Sequence, residues 1–390
     1  MERKVGKTGI EIFSLLFLGI TLRYWCMTIG YNYDFESYCI VGKLAGNFHN
    51  VYAETTRYNY GPVFFCIQGL LYRFSFFLST DPVLTYRVLL VSLLTLTDLG
   101  IALYIADQKS MRCAVCFFLN PISIIITGYH NQFDNIAILL ALFSLQFYNE
   151  DDKLVRKDWL FILFMSLSLM TKHIFFLIPV FILLKRGLSL KKKMIYAVTP
   201  PFIFLISFVP FAICGEGAFR GIVNNVFLYR SYNNAPLLHG VFEMVELPDR
   251  FYAWIYMALM CIVGGIVRKR KFSDCVMIYL INMVAFASAI ANQYLVIPMV
   301  ALYVLEAGIL KNAYIIAMTL FLFISEAGLG EKTAMIEYIP VLEKAIVNYE
   351  KSGYSVAAWI LLFVFIYEMA WKKYYSKLIR AIRVKRKGCL

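Results

Sequence analysis

Hydrophobic residues run along this chain in long blocks, and polar residues are confined to short breaks between them. A helix that crosses a bilayer needs roughly 20 apolar residues, and blocks approaching that length recur from Gly9 to Trp371. They predict helices over 9–29, 87–106, 113–128, 132–149, 158–171, 174–184, 194–213, 251–267, 273–290, 295–310, 313–328 and 355–371. The expected fold is an all-α polytopic membrane protein of about 12 transmembrane helices. The stretch 158–184 would suffice for one tilted span, but basic clusters flank both ends, which predicts two short helices meeting at an external Thr171-Lys172-His173 turn. Block 61–79 is also apolar enough to cross. A crossing there would send the following basic loops to the wrong side, so it is placed as an amphipathic or re-entrant helix of the first external loop, 30–86.

Composition strengthens this picture. The chain has 390 residues, 61% hydrophobic and only 16% charged, too apolar to keep the surface of a soluble domain wet. Residues 1–371 therefore read as one transmembrane domain, with 185–371 as its C-terminal helices and 372–390 as a basic cytoplasmic tail. The net charge of +13 does not point to nucleic acid, because 26 of the 38 Lys and Arg residues lie in clusters between apolar blocks or in the tail. A twelve-helix topology with both termini in the cytoplasm puts all of those clusters inside at once. The nine cysteines are scattered mostly inside apolar blocks, the Cys113-Ala114-Val115-Cys116 pair included, and read as small core residues. Without a small-residue cleavage site, the first block reads as a retained helix, and Cys389-Leu390 does not fit a prenylation box. The lack of an Asn-x-Ser/Thr sequon favours a bacterial cytoplasmic membrane over the endoplasmic reticulum.

With that topology drawn, polar patches fall on the extracytoplasmic side. Three long external segments, 30–86, 214–250 and 329–354, are the first places to seek function. Asp34 and Glu36 follow the first helix; spacing allows Asp34 to be the N-cap of a helix over 35–45 or a general base, and it puts Glu36 on another face. Arg57 and Tyr60 lie in Arg57-Tyr58-Asn59-Tyr60-Gly61-Pro62. A turn after Asn120-Pro121 carries His130, Asn131, Gln132, Asp134 and Asn135, more hydrogen-bonding capacity than a loop needs. Lys172 and His173 occupy the break between the two short helices, on the side where cations are disfavoured; ionisable groups kept there are candidates for function. Asn292 and Gln293 form a further external turn, and Arg220 and Arg230 sit in the 214–250 loop. Asp98, inside the second span, reads as a helix–helix hydrogen-bonding residue. The four histidines show no paired metal spacing, and neither a phosphate-cradling glycine loop nor a nucleophile elbow occurs, so no cofactor or metal is expected.

A carboxylate facing cations and amides beside an apolar cavity suits sugar transfer from a polyprenyl-phosphate sugar. The base takes the proton of the acceptor hydroxyl, and fixed cations stabilise the departing phosphate. The order Asp34-Phe35-Glu36, Tyr58-Asn59-Tyr60-Gly61-Pro62, Asn120-Pro121 leading to Gly128-Tyr129-His130-Asn131-Gln132, then Thr171-Lys172-His173 leading to Pro179, resembles the C-type membrane glycosyltransferases. The pattern is most similar to the dolichyl-phosphate-glucose-dependent glucosyltransferases of N-glycan assembly, and more weakly to the first mannosyltransferase of glycolipid-anchor synthesis. It covers residues 1–184, which the resemblance makes the catalytic module, with Asn292-Gln293-Tyr294 a looser later match. It implies the C-type architecture, Asp34 as base with Glu36 completing an acidic pair, and Lys172 and His130 to Gln132 near donor or acceptor. The implied partners are a polyprenyl-phosphate sugar donor, a glycan or lipid-linked acceptor, and the bilayer, with no nucleic acid. Asn292-Gln293 stands where eukaryotic relatives carry a His-Glu pair, a departure at the acceptor side.

Two other classes remain open. A lipid-linked sugar flippase or transporter predicts internal repeats and polar residues on both sides of the midplane. A polysaccharide polymerase or ligase uses lipid-linked sugars externally and is kept open by Arg220 and Arg230.

Overall fold

A computed structural model describes residues 2–229, 236–237, 248, 250–305, 307–325 and 343–371. Arg230 and most of 230–249 within the predicted 214–250 loop, residues 326–342 and the tail 372–390 lie outside the described residues. The protein is all-α, with no strand among the described residues.

The first third of the chain holds α1 (Glu2–Ile29), α2 (Tyr33–Gly46), α3 (Val51–Glu54), α4 (Pro62–Leu78) and α5 (Pro82–Gln108). Next come α6 (Met111–Phe118), α7 (Pro121–Gly128), α8 (Asp134–Gln146), α9 (Arg156–Thr171) and α10 (Ile178–Leu184). They are followed by α11 (Leu190–Ile206), α12 (Val209–Ile213), α13 (Ala218–Ile222), α14 (Arg250–Val267) and α15 (Phe272–Ala285). The chain of helices ends with α16 (Met299–Val304), α17 (Gly308–Ile324) and α18 (Glu343–Ile366).

Local chemistry sets the helix starts. Asn32, Asp81, Ser110 and Asn120 each cap a helix by accepting a backbone N–H, and Pro62, Pro82 and Pro121 sit where no intrahelical donor is needed. Two sequence expectations change here. The N-cap of α2 is Asn32, which leaves Asp34 in the first helical turn. The single span expected over 113–128 is two short helices bent by 47°, because the Asn120-Pro121 start cannot continue α6.

Among the described residues four helical stretches are long and apolar enough to cross a membrane: Gly9–Ile29, Pro82–Gln108, Leu190–Ile213 and Ser352–Ala370. The α6–α7 and α9–α10 pairs are apolar but broken, the second by 110° at Lys172. Phe13 and Phe17 on α1, Leu96 and Leu103 on α5, Phe202 on α11 and Phe363 on α18 are exposed. So much bare apolar surface is costly in water and natural against lipid. Such a surface, with several helices apolar enough to span, suggests a membrane protein.

Helix α4 packs on α2, α5 and α9. Its 17 residues reach about 25 Å at 1.5 Å per residue, short of the roughly 30 Å hydrocarbon core. The two ends of the bundle differ in chemistry. At one end Lys185 pairs with Glu150 at 3.1 Å, Lys192 with Asp158 at 2.9 Å, and Arg270 with Glu368 at 3.6 Å. The end of α1, the starts of α2, α5 and α8, and the close of α9 meet at the other end, around the polar patches.

Candidate active site

The turn between α7 and α8 is the organiser. Asn131 adopts φ +55°, a left-handed conformation that Asn tolerates better than most residues. Its amide donates to the Thr127 and Gly128 carbonyls at 3.1 and 2.8 Å, closing the end of α7. Its Oδ1 accepts from Arg87 Nε at 3.1 Å, and the same guanidinium donates to the Gly30 carbonyl. Asn131 thereby ties the end of α1 and the start of α5 to this turn. A Cβ at Gly128 would stand 2.3 Å from the Arg23 carbonyl, so only glycine lets α7 approach α1 so closely.

Next in the turn, Gln132 reaches α2. Its Oε1 accepts the Tyr38 hydroxyl at 3.0 Å, which directs Nε2 to donate to Asp34 Oδ2 at 2.5 Å. Asn32 is fixed in the same way: Oδ1 accepts the Asp34 N–H at 3.2 Å, while Nδ2 faces Asp34 Oδ2 at 3.4 Å and His130 Nδ1 at 3.0 Å. All these side-chain contacts fall on Oδ2. Asp34 is half-buried, and its Oδ1 accepts no hydrogen bond among the described residues. Because Asn32 donates to His130 Nδ1, the imidazole proton belongs on Nε2, which is buried without a partner. Burial holds this imidazole neutral, its pKa pushed down to about 4.

Beside this group lies a buried ion pair. Lys172 Nζ donates to Asp134 Oδ2 at 2.6 Å, with the cation 5.1 Å from the Tyr60 ring centre and 4.9 Å from that of Phe133. Asp134 Oδ1 is buried and unpartnered. Lys172 is therefore matched by a carboxylate, although its remaining N–H groups meet no other oxygen among the described residues. Tyr60 packs edge-on to Phe133 at 4.9 Å and lies 6.1 Å from the His173 ring, which is exposed. The segment carrying Tyr60 is pinned by the Tyr58 hydroxyl, which donates to Gly61 O at 2.6 Å, and by Tyr52, which donates to Tyr60 O at 2.9 Å. A Cβ on Gly61 would lie 2.2 Å from the carbonyl of Met170, two residues before Lys172. Tyr294 is within electrostatic reach of Lys172, Tyr60 and Asp134, which brings the Asn292-Gln293 turn alongside; Asn292 Oδ1 accepts the Tyr354 hydroxyl at 2.7 Å.

Other candidates stand apart. Glu36 points outward and meets Arg57 at 3.9 Å; Arg57 also donates to Ser37 Oγ and the Tyr33 carbonyl and covers the Tyr33 ring. The two form a clasp on the other face of α2. Arg220 is exposed on α13, and Arg230 lies outside the described residues.

Sequence reading missed Asn32, Tyr38 and Arg87. A capping asparagine two residues before a carboxylate, and an arginine on the end disfavoured for cations, were the available signals. It also missed Arg23, the partner of Asp98. Arg23 donates to Asp98 Oδ2 through Nε at 3.0 Å and a terminal nitrogen at 2.8 Å, and both residues are fully buried. Ser123 and Thr127 donate to that oxygen at 2.8 Å each, and Asn135 donates to Oδ1 at 2.6 Å. The network joins α1, α5, α7 and α8 below the turn that carries His130.

Among the described residues no three His, Cys, Asp or Glu side chains gather as a metal site. The arrangement offers one open carboxylate oxygen, a neutral N–H donor and a shielded ammonium at one end of a lipid-facing bundle. Compared with known proteins, the chain matches no family model, no curated protein and no solved structure.

Proposed function

We propose that this protein is a C-type membrane glycosyltransferase that moves a hexose, glucose or mannose, from a polyprenyl-phosphate donor to an acceptor hydroxyl on a glycan or lipid-linked glycan. The observation that supports it most is Asp34, whose Oδ2 is held by Gln132 and Asn32 while Oδ1 stays open. A carboxylate oriented through one oxygen and open at the other is arranged as a general base. In the proposed step the acceptor oxygen attacks the anomeric carbon and its proton passes to Asp34 Oδ1. The bond from that carbon to the phosphate oxygen breaks, and the electron pair leaves with the polyprenyl phosphate. Direct displacement inverts the anomeric centre. Lys172 and the Nε2–H of His130 are the donors available to the phosphate. Asp134 tempers the charge of Lys172, so the pair orients a singly linked phosphate more than it attracts one over distance.

The same proposal includes about twelve crossings, both termini in the cytoplasm, and a site on the extracytoplasmic face of a bacterial membrane. The separation of basic loops from the polar cluster supports that orientation. The test is to incubate membranes containing the protein with labelled polyprenyl-phosphate hexoses and identify the labelled product. Asp34→Asn is expected to remain folded and lose transfer; near-normal transfer by that variant would overturn the assignment.

A further inference from the structure

We infer that the basic end of the bundle holds a binding pocket for the phosphate headgroup of an anionic phospholipid, separate from the Asp34 site and independent of the activity proposed for it. A cavity of about 330 Å³ opens there between the 145–150 turn, Lys185 and the start of α15. Four cations, Lys185, Lys269, Arg270 and Lys271, line it against one carboxylate, Glu150. Lys185 is only 4% exposed, and its Nζ spends two donors on Glu150 at 3.1 Å and the Arg186 carbonyl at 3.0 Å, leaving a third. Arg270 is held from behind by Glu368 at 3.6 Å and by donating to the Glu368 carbonyl at 2.7 Å. Lys269 and Lys271 are exposed and add charge that Glu150 does not balance.

Retention of cationic loops on one side of a membrane accounts for basic residues scattered over that side. It does not account for Lys185 and the Lys269-Arg270-Lys271 run, from two separate loops, converging on one concave site. The first turn of α15 adds Phe272 and Ser273 to the wall, and no side chain caps that helix, so its leading N–H groups are left without a side-chain acceptor at the edge of the cavity. A basic pocket between helices at the membrane surface suits a lipid phosphate, which the bilayer delivers at high local concentration.

The experiment compares purified full-length protein with Lys269→Gln/Lys271→Gln, and with Lys191→Gln/Lys193→Gln as a control of equal charge outside the cavity. Each is titrated with detergent-dispersed phosphatidylglycerol, with phosphatidylcholine, and with inorganic phosphate, following the thermal unfolding midpoint and bound lipid by native mass spectrometry. The expected result is saturable phosphatidylglycerol binding, weakened about tenfold or more in the cavity variant and unchanged in the control. Equal binding by the cavity variant, equal binding of phosphatidylcholine, or equally strong binding of free phosphate would each overturn the lipid assignment.

Discussion

Single residues here are defined by how many partners they already have. Asp34 has one oxygen engaged and one open, whereas Asp98 has both oxygens saturated by Arg23, Ser123, Thr127 and Asn135. The first is equipped for chemistry and the second for holding helices together. Replacing Arg23 with Met leaves Asp98 buried without its counter-charge and is expected to cost about 3 to 5 kcal/mol, read as a lower thermal midpoint in detergent. Arg23→Leu/Asp98→Leu should recover part of that loss, but not all, because Ser123, Thr127 and Asn135 lose their acceptor. His130 makes a pH prediction. Its folded pKa of about 4 lies below the ordinary 6.5, so the unfolded chain binds the proton more readily between those values. Its contribution to stability is complete above about pH 6.5 and disappears as pH falls towards 4. Unfolding midpoints across that range should drop less steeply for His130→Gln than for the unaltered protein.

Elements act here through their ends. The termini of α7 and α9 put His130, Gln132 and Lys172 in place, and the segment before α4 lays Tyr60 over the lysine. Gly61 is the contact that allows this. In Gly61→Ala the new methyl carbon meets the Met170 carbonyl, which is backbone and cannot rotate away. The Tyr60 segment must then lift off α9. If the site transfers sugar, a misplacement of that kind should lower turnover on the order of a hundredfold with the protein still folded. Normal turnover in Gly61→Ala would remove the Tyr60 contact from the working geometry. Only part of this was legible beforehand: the apolar blocks predict the Gly61 start and the break at Lys172, but they also predict one span over 113–128 and a start at 87, against the helix starts that Asn120-Pro121 and Asp81-Pro82 mark. The cap of α2 was misplaced by two residues, from Asn32 to Asp34, because both residue types cap well and spacing alone does not choose between them.

For the whole molecule, the polarity of the two ends predicts sidedness. In sealed vesicles with Cys389 and the cysteines exposed among the described residues, Cys66, Cys116, Cys214 and Cys261, replaced, Tyr31→Cys and Lys153→Cys should react with an impermeant thiol reagent from opposite sides. Labelling of both from one side would contradict the proposed orientation and with it an extracytoplasmic site. Helix α4 is the element on which the number of crossings turns: it is apolar on its outer face, with Leu70, Phe74 and Phe77 exposed, yet it is short.

The sequence by itself determined the class of protein, because burying or coating this much apolar surface needs lipid and backbone hydrogen bonds in lipid need helices. It also singled out the polar breaks that hold Asp34, His130, Gln132, Asp134 and Lys172. Tertiary structure alone decided which of them meet. Asp34 and Gln132 are 98 positions apart, and nothing local to either reports the other. Helical periodicity says which residues share a face, but the rotation of one helix against another is settled by packing, here by Gly128 against α1 and Gly61 against α9. The same packing turned Arg57 and Glu36 to the outside, neutralised Lys172 with Asp134, and left one oxygen of Asp34 open.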